Sequence, residues 1–165
     1  MVQLRNINTV SPVEIQQLAN NYAVKKNLRD FFPFPYAVED AVSFVESAVT
    51  GSMGHVFALY LEETFIGIGS LIPKMYEHRI NAEIGYWIGE PYWGKGYATA
   101  AVKQLTRFAF EELGLLRIYA GVYDYNNASM RVLEKAGFQK EAIMHSSVIK
   151  EGKLHDEHVY SIRKV

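Results

Sequence analysis

WGKGYATAAV, residues 93–102, joins a stretch that alternates like a strand (82–88) to one that repeats like a helix (98–109), with two glycines and a lysine at the junction. Junctions of this kind receive phosphate, because the first N–H groups of a helix lack intrahelical partners and its dipole favours an anion. Two common phosphate loops do not fit. Gly89 to Lys95 follows the Walker A pattern until Gly96, which stands where a magnesium-binding hydroxyl belongs. Gly94-Lys95-Gly96-Tyr97-Ala98-Thr99 starts like a dinucleotide loop, but Thr99 replaces its third glycine and the loop falls mid-chain instead of opening a parallel βαβ unit. A third arrangement remains: successive backbone N–H groups surrounding a pyrophosphate without metal. Glycines at 94 and 96 let the backbone approach, and Lys95 adds charge at the rim.

Outward from this loop, the chain reads as one domain, residues 1–165, with no linker or repeat. A strand at 2–7 leads to Ser11-Pro12, a helix start, and a second helix opens at Val38 after the proline cluster FFPFPY (31–36). The runs 55–61, 65–71 and 82–88 read as strands, the first two as a hairpin around Glu62-Glu63-Thr64. The loop helix ends at Gly114, a strand follows at 116–122, and Asn126 or Asn127 caps a short helix closed by Gly137. Two final strands flank Glu151-Gly152. Strands outnumber helices and mostly neighbour one another, which predicts an α/β (α+β) fold with a mixed, largely antiparallel sheet of about seven strands and about four helices.

The composition excludes several function classes. A net charge of -1 and a pI near 6.5 give no basis for nucleic acid or an anionic membrane as the main partner. No cysteine is present, so disulfides, thiolate metal sites and a cysteine nucleophile are all absent. The N-terminal sequence lacks the layout of a signal peptide and no run is long and apolar enough to span a bilayer, so a soluble cytoplasmic protein is expected.

The segment Trp93-Gly94-Lys95-Gly96-Tyr97-Ala98 resembles the acetyl-CoA loop Q/R-x-x-G-x-G/A of the GNAT acetyltransferases, with Trp93 at the Gln/Arg place as in the RimJ/RimL-like branch. Ala82 to Ile88 is similar to that branch's fourth strand. Asn126-Asn127-Ala128-Ser129 with Glu134 to Phe138 is similar to its second cofactor motif, and residues 27–41 to its N-terminal region. The resemblance spans nearly the whole chain and implies a GNAT-type sheet splayed between strands four and five, with the pantetheine arm of acetyl-CoA in the gap. It implies cofactor contacts from the backbone of Trp87 and Ile88, from Gly94, Lys95, Gly96, Tyr97, Ala98 and Thr99, and from Asn126, which also fits a plain helix N-cap.

Acetyl transfer to an amine needs the amine neutral and the leaving thiol protonated. Glu83, beside the expected acetyl group and sharing a face with Gly85 and Trp87, is the candidate base, or else a pocket carboxylate. Many relatives place a tyrosine seven residues after the motif asparagine; here that residue is Leu133, and Ser129 is the substitute donor, or else a hydroxyl that caps the helix or contacts the cofactor. FFPFPY reads as an acceptor-pocket wall or an apolar hinge, and Tyr160 as a residue of the acceptor end. His145, His155, Asp156 and His158 could suggest a metal site, but 155 and 158 project to opposite faces of a strand, so no metal is expected. The expected partners are acetyl-CoA and an amine acceptor, a protein N-terminus or a small amine, with a homodimer left open. The competing reading is a non-catalytic acyl-CoA-binding sensor.

Overall fold

The computed structural model describes residues 1–165. The strands are β1 (Val2–Asn6), β2 (His55–Leu61), β3 (Thr64–Pro73), β4 (Asn81–Ile88), β5 (Arg117–Tyr123), β6 (Gln139–Lys150) and β7 (Lys153–Arg163). The helices are α1 (Pro12–Ala19), α2 (Tyr22–Lys25), α3 (Val38–Val49), α4 (Tyr97–Glu111) and α5 (Asn127–Lys135). Ser11 starts α1 as expected: its hydroxyl accepts from the Glu14 N–H while the Glu14 carboxylate accepts from the Ser11 N–H. The helix missing from the expected set is α2, a single turn that Asn21 caps by accepting from Ala23 N–H at 2.8 Å. One turn is too short to show a hydrophobic period.

The strands form one sheet in the order β1-β2-β3-β4-β5-β7-β6, antiparallel everywhere except β4–β5. That parallel ladder pairs only Asn81, Ala82 and Glu83 with Arg117, Ile118 and Tyr119. Beyond it the two strands separate, which is the expected splay. Both faces of the sheet are covered. Ile84, Val102, Leu105, Ile118 and Leu133 build the core beneath α4 and α5, whereas Ile15, Ala41, Tyr60, Phe65 and Ile68 build the core beneath α1 and α3. The register of β4 on β3 is unbroken. Alternation therefore holds: Ala82, Ile84 and Tyr86 face the α4–α5 side, while Trp87, packed with Phe32 and Phe65, faces the other side with Glu83.

Candidate active site

A cavity of about 490 Å³ follows the splay. Its floor is the diverging pair β4 and β5, one end is the loop into α4, and the start of α5 forms a wall. Gly94 and Gly96 hold φ of +73° and +79°, and a Cβ on either would meet no protein atom within 4 Å, so they supply a left-handed backbone bend facing open space. None of the N–H groups from Gly94 to Thr99 donates to any acceptor in the protein; the first helical bond here is Ala100 N–H to Gly96 C=O. A run of unpartnered donors at a helix start fits a pyrophosphate, and with it acetyl-CoA.

The expected cofactor residues divide. Trp87, Ile88, Gly94, Gly96, Tyr97, Ala98, Thr99 and Asn126 line the cavity; Lys95 does not, because its ammonium turns back to donate to Pro91 C=O at 3.1 Å. Trp93 clips the loop to β4 by donating its indole N–H to Ile88 C=O at 2.6 Å, leaving that carbonyl one further lone pair. Asn126 caps α5 through its Oδ1, which accepts from Ser129 N–H at 3.2 Å, while its amide nitrogen makes no bond within the protein. Both roles read from sequence are geometrically compatible. Arg131 and Lys135, one helical turn apart on α5, line the cavity as well and were not anticipated. Their i,i+4 spacing was the available signal.

At the junction of the halves, the Ser129 hydroxyl lies 2.7 Å from the phenol oxygen of Tyr86. Burial pushes the Tyr86 phenol up to about 12, the hydrogen bond with Ser129 opposing the rise, so the ring stays protonated across the neutral range. Tyr86 was missed by sequence reasoning. Leu133, where relatives carry a tyrosine, is wholly buried core, and the phenol near Ser129 arrives from β4 instead.

On the opposite face, Glu83 is bound twice. Arg29, from the loop after α2, pairs with its Oε1, and Lys74 Nζ lies 3.0 Å from its Oε2. A second carboxylate, Glu157 of β7, lines the same cavity. One expectation is corrected here, and one pair of alternatives is separated. Tyr160 is buried away from the acceptor end, its hydroxyl donating to Glu134 at 3.0 Å. Of the two readings of FFPFPY, the apolar hinge fits and the pocket wall does not: Phe32 and Tyr36 pack into the core beneath α1 and α3, no residue of 31–36 lines the cavity, and Val24, Asn27, Leu28 and Arg29 just before it supply the wall. The histidines brace the terminal hairpin, His155 Nδ1 lying 2.9 Å from Asp124 and His145 Nδ1 3.0 Å from Asp156.

Residues 4–139 match the family model described as an acetyltransferase (GNAT) domain. The chain is a GNAT acetyltransferase. It belongs to the RimJ/RimL-like branch and is an acetyl-CoA-dependent N-acetyltransferase. The "Probable N-acetyltransferase YjcK" of Bacillus subtilis is 34% identical over 166 residues, covering 93% of this chain and 92% of that one. Among solved structures, Mycobacterium smegmatis RimJ in complex with CoA-disulfide superposes with a TM-score of 0.84 at 24% identity, covering 98% of this chain and 81% of the other. The spermidine N-acetyltransferase of Vibrio cholerae, in complex with CoA and spermine, gives 0.82 at 23% identity, covering 98% and 95%. These two likenesses establish the shared GNAT fold. No helix of this acetyltransferase is long and apolar enough to cross a membrane.

Proposed function

We propose that this GNAT enzyme acetylates a primary amine, either a protein N-terminal α-amine or a small-molecule amine, by direct transfer without an acyl-enzyme. The observation that carries the reading is the continuity of the cavity. It runs from the unpartnered N–H groups of Gly94 to Thr99, past the Ser129–Tyr86 hydroxyl pair, to the Arg29–Glu83–Lys74 cluster. Bound acetyl-CoA supplies the activated thioester. The protein contributes the rest: the loop and Asn126 hold the donor, and Ser129, backed by the protonated Tyr86, delivers a proton to the leaving sulfur. Glu83, with its charge balanced by Arg29 and Lys74, is a carboxylate of the acceptor pocket's wall. An acyl-enzyme has no support, since the chain lacks cysteine and Ser129 bonds a phenol rather than a base.

The acceptor class is open because relatives of the same fold are named both for a protein-modifying activity (putative ribosomal N-acetyltransferase YdaF of Bacillus subtilis) and for spermidine. The test is CoA release from acetyl-CoA with a panel of N-terminal peptides and small amines. Release with at least one acceptor is expected. Tight acetyl-CoA binding with no release on any acceptor overturns the reading in favour of a non-catalytic sensor.

A further inference from the structure

The acceptor side of the cavity holds an unequal pair of carboxylates. Glu83 is compensated by Arg29 and Lys74. The Glu157 side chain forms no ion pair and no hydrogen bond within the protein, although it lines the same cavity. Of the charges nearby, Arg29 is committed to Glu83, and Asp30 to Lys150 Nζ at 2.6 Å, with Lys150 also above the ring of Tyr123; Arg131 and Lys135 line the cavity from α5 and form no ion pair with Glu157. His158, the next residue along β7, pairs with Val122 and so faces the other side of the sheet.

The backbone places Glu157 where the sheet opens. Glu83 and Tyr119 are the last partners of the β4–β5 ladder. Two residues further along β5 is Gly121, on the same face as Tyr119, and the Glu157 side chain lies across it: a Cβ at 121 would come 2.6 Å from the Glu157 carboxyl carbon. The missing side chain is therefore the space the carboxylate fills, next to the point where the strands part. A half-buried carboxylate standing without a counter-ion in a cavity attracts a cation that enters it.

We infer that Glu157 is the group that receives the ammonium form of the acceptor and takes its first proton, so that the acceptor is a cationic aliphatic amine and Glu83 serves to shape the wall. This inference rests on the acetyl-transfer reading. One N–H bond of the ammonium breaks and an O–H bond forms on Glu157, leaving the nitrogen lone pair free. The N–C bond then forms as the C–S bond breaks. The sulfur gains a proton from the Ser129 hydroxyl, the second proton lost by the nitrogen restores that hydroxyl through Tyr86 and water, and Glu157 gives its proton to solvent before the next turnover.

The test uses the whole enzyme, acetyl-CoA and whichever amine of the panel it turns over. Glu157→Gln is expected to lower kcat/KM roughly 100-fold at pH 7, with the dissociation constant for acetyl-CoA unchanged by calorimetry. As pH passes the acceptor's own pKa, about 8 for an α-amine or about 10.4 for a lysine-like amine, the deficit closes, because the neutral amine no longer needs the carboxylate. Gly121→Ala is the second variant, since it keeps the charge and pushes it aside; a smaller deficit with the same pH dependence is expected. No deficit in Glu157→Gln, or one that stays constant across pH, overturns the inference while leaving acetyl transfer intact. A wild-type enzyme that binds acetyl-CoA and acetylates nothing removes both.

Discussion

A phenol held protonated to about pH 12 is a reserve proton donor, and Tyr86 spends that capacity on one neighbour, the Ser129 hydroxyl. Ser129→Ala is expected to lower kcat by roughly tenfold to 100-fold, the range of a positioned acid, while calorimetry finds acetyl-CoA binding little changed. Unchanged turnover removes Ser129 from the mechanism. Tyr86→Phe should act in the same direction, and the double variant should lose less than the product of the two, because the groups work as a unit. Of this pair only Ser129 was legible, from its place three residues after Asn126. Alternation along β4 shows which face Tyr86 takes, but not that a hydroxyl 43 residues downstream stands against it. Glu83 was legible as a strand carboxylate for the same reason that its two cations were not: Arg29 and Lys74 lie in loops, whose paths carry no periodic signal.

Among the elements, the loop into α4 separates two effects that usually travel together. Gly94→Ala and Gly96→Ala each force a left-handed backbone on a residue with a Cβ, at a cost of about 1–2 kcal/mol, yet neither new methyl touches the protein. Thermal or urea denaturation should therefore show a modest loss, whereas acetyl-CoA affinity falls by more than the same energy, because the methyl enters the space the N–H groups of Gly94 to Thr99 face. Equal losses in stability and affinity would refute the cradle. Long elements such as α4 and the β2–β3 hairpin were readable from their periods and punctuation. Short ones were not: α2 is one turn, and FFPFPY is decided by Phe32 meeting Trp87 in the core while Tyr36 packs on Phe32.

Across the whole molecule, the terminal hairpin reaches over to fix the N-terminal region. Lys150, only 6% exposed, donates to Leu28 C=O and pairs with Asp30, both at 2.6 Å. Lys150→Met removes these charge-assisted bonds and should cost about 1.5–3 kcal/mol in denaturant unfolding. Because Arg29 sits between the two anchor points, catalysis should weaken with it. Buried phenols set the alkaline limit. Burial raises Tyr86 and Tyr36 to about 12, in the latter case aided by Asp40, so their contribution is complete below pH 10 and is lost as pH climbs through 12. Thermal melts between pH 9 and 12 should fall steadily over the upper part of that window. Strand sequence and mixed topology were visible in the pattern of elements. The neutralised Glu83 and the uncompensated Glu157 were not, since both depend on contacts between β3, β4, β5 and β7 that only the folded register creates.

The brief β4–β5 ladder joins two antiparallel half-sheets through three residue pairs, so the inner edges of Ile84–Ile88 and Ala120–Tyr123 lack a neighbouring strand. On the proposed acetyl-CoA site, a pantetheine arm is expected to complete the sheet there as an additional strand of foreign chemistry. Acetyl-CoA should accordingly slow amide hydrogen exchange along these two edges, and leave β1 and β2, already paired, almost unaffected.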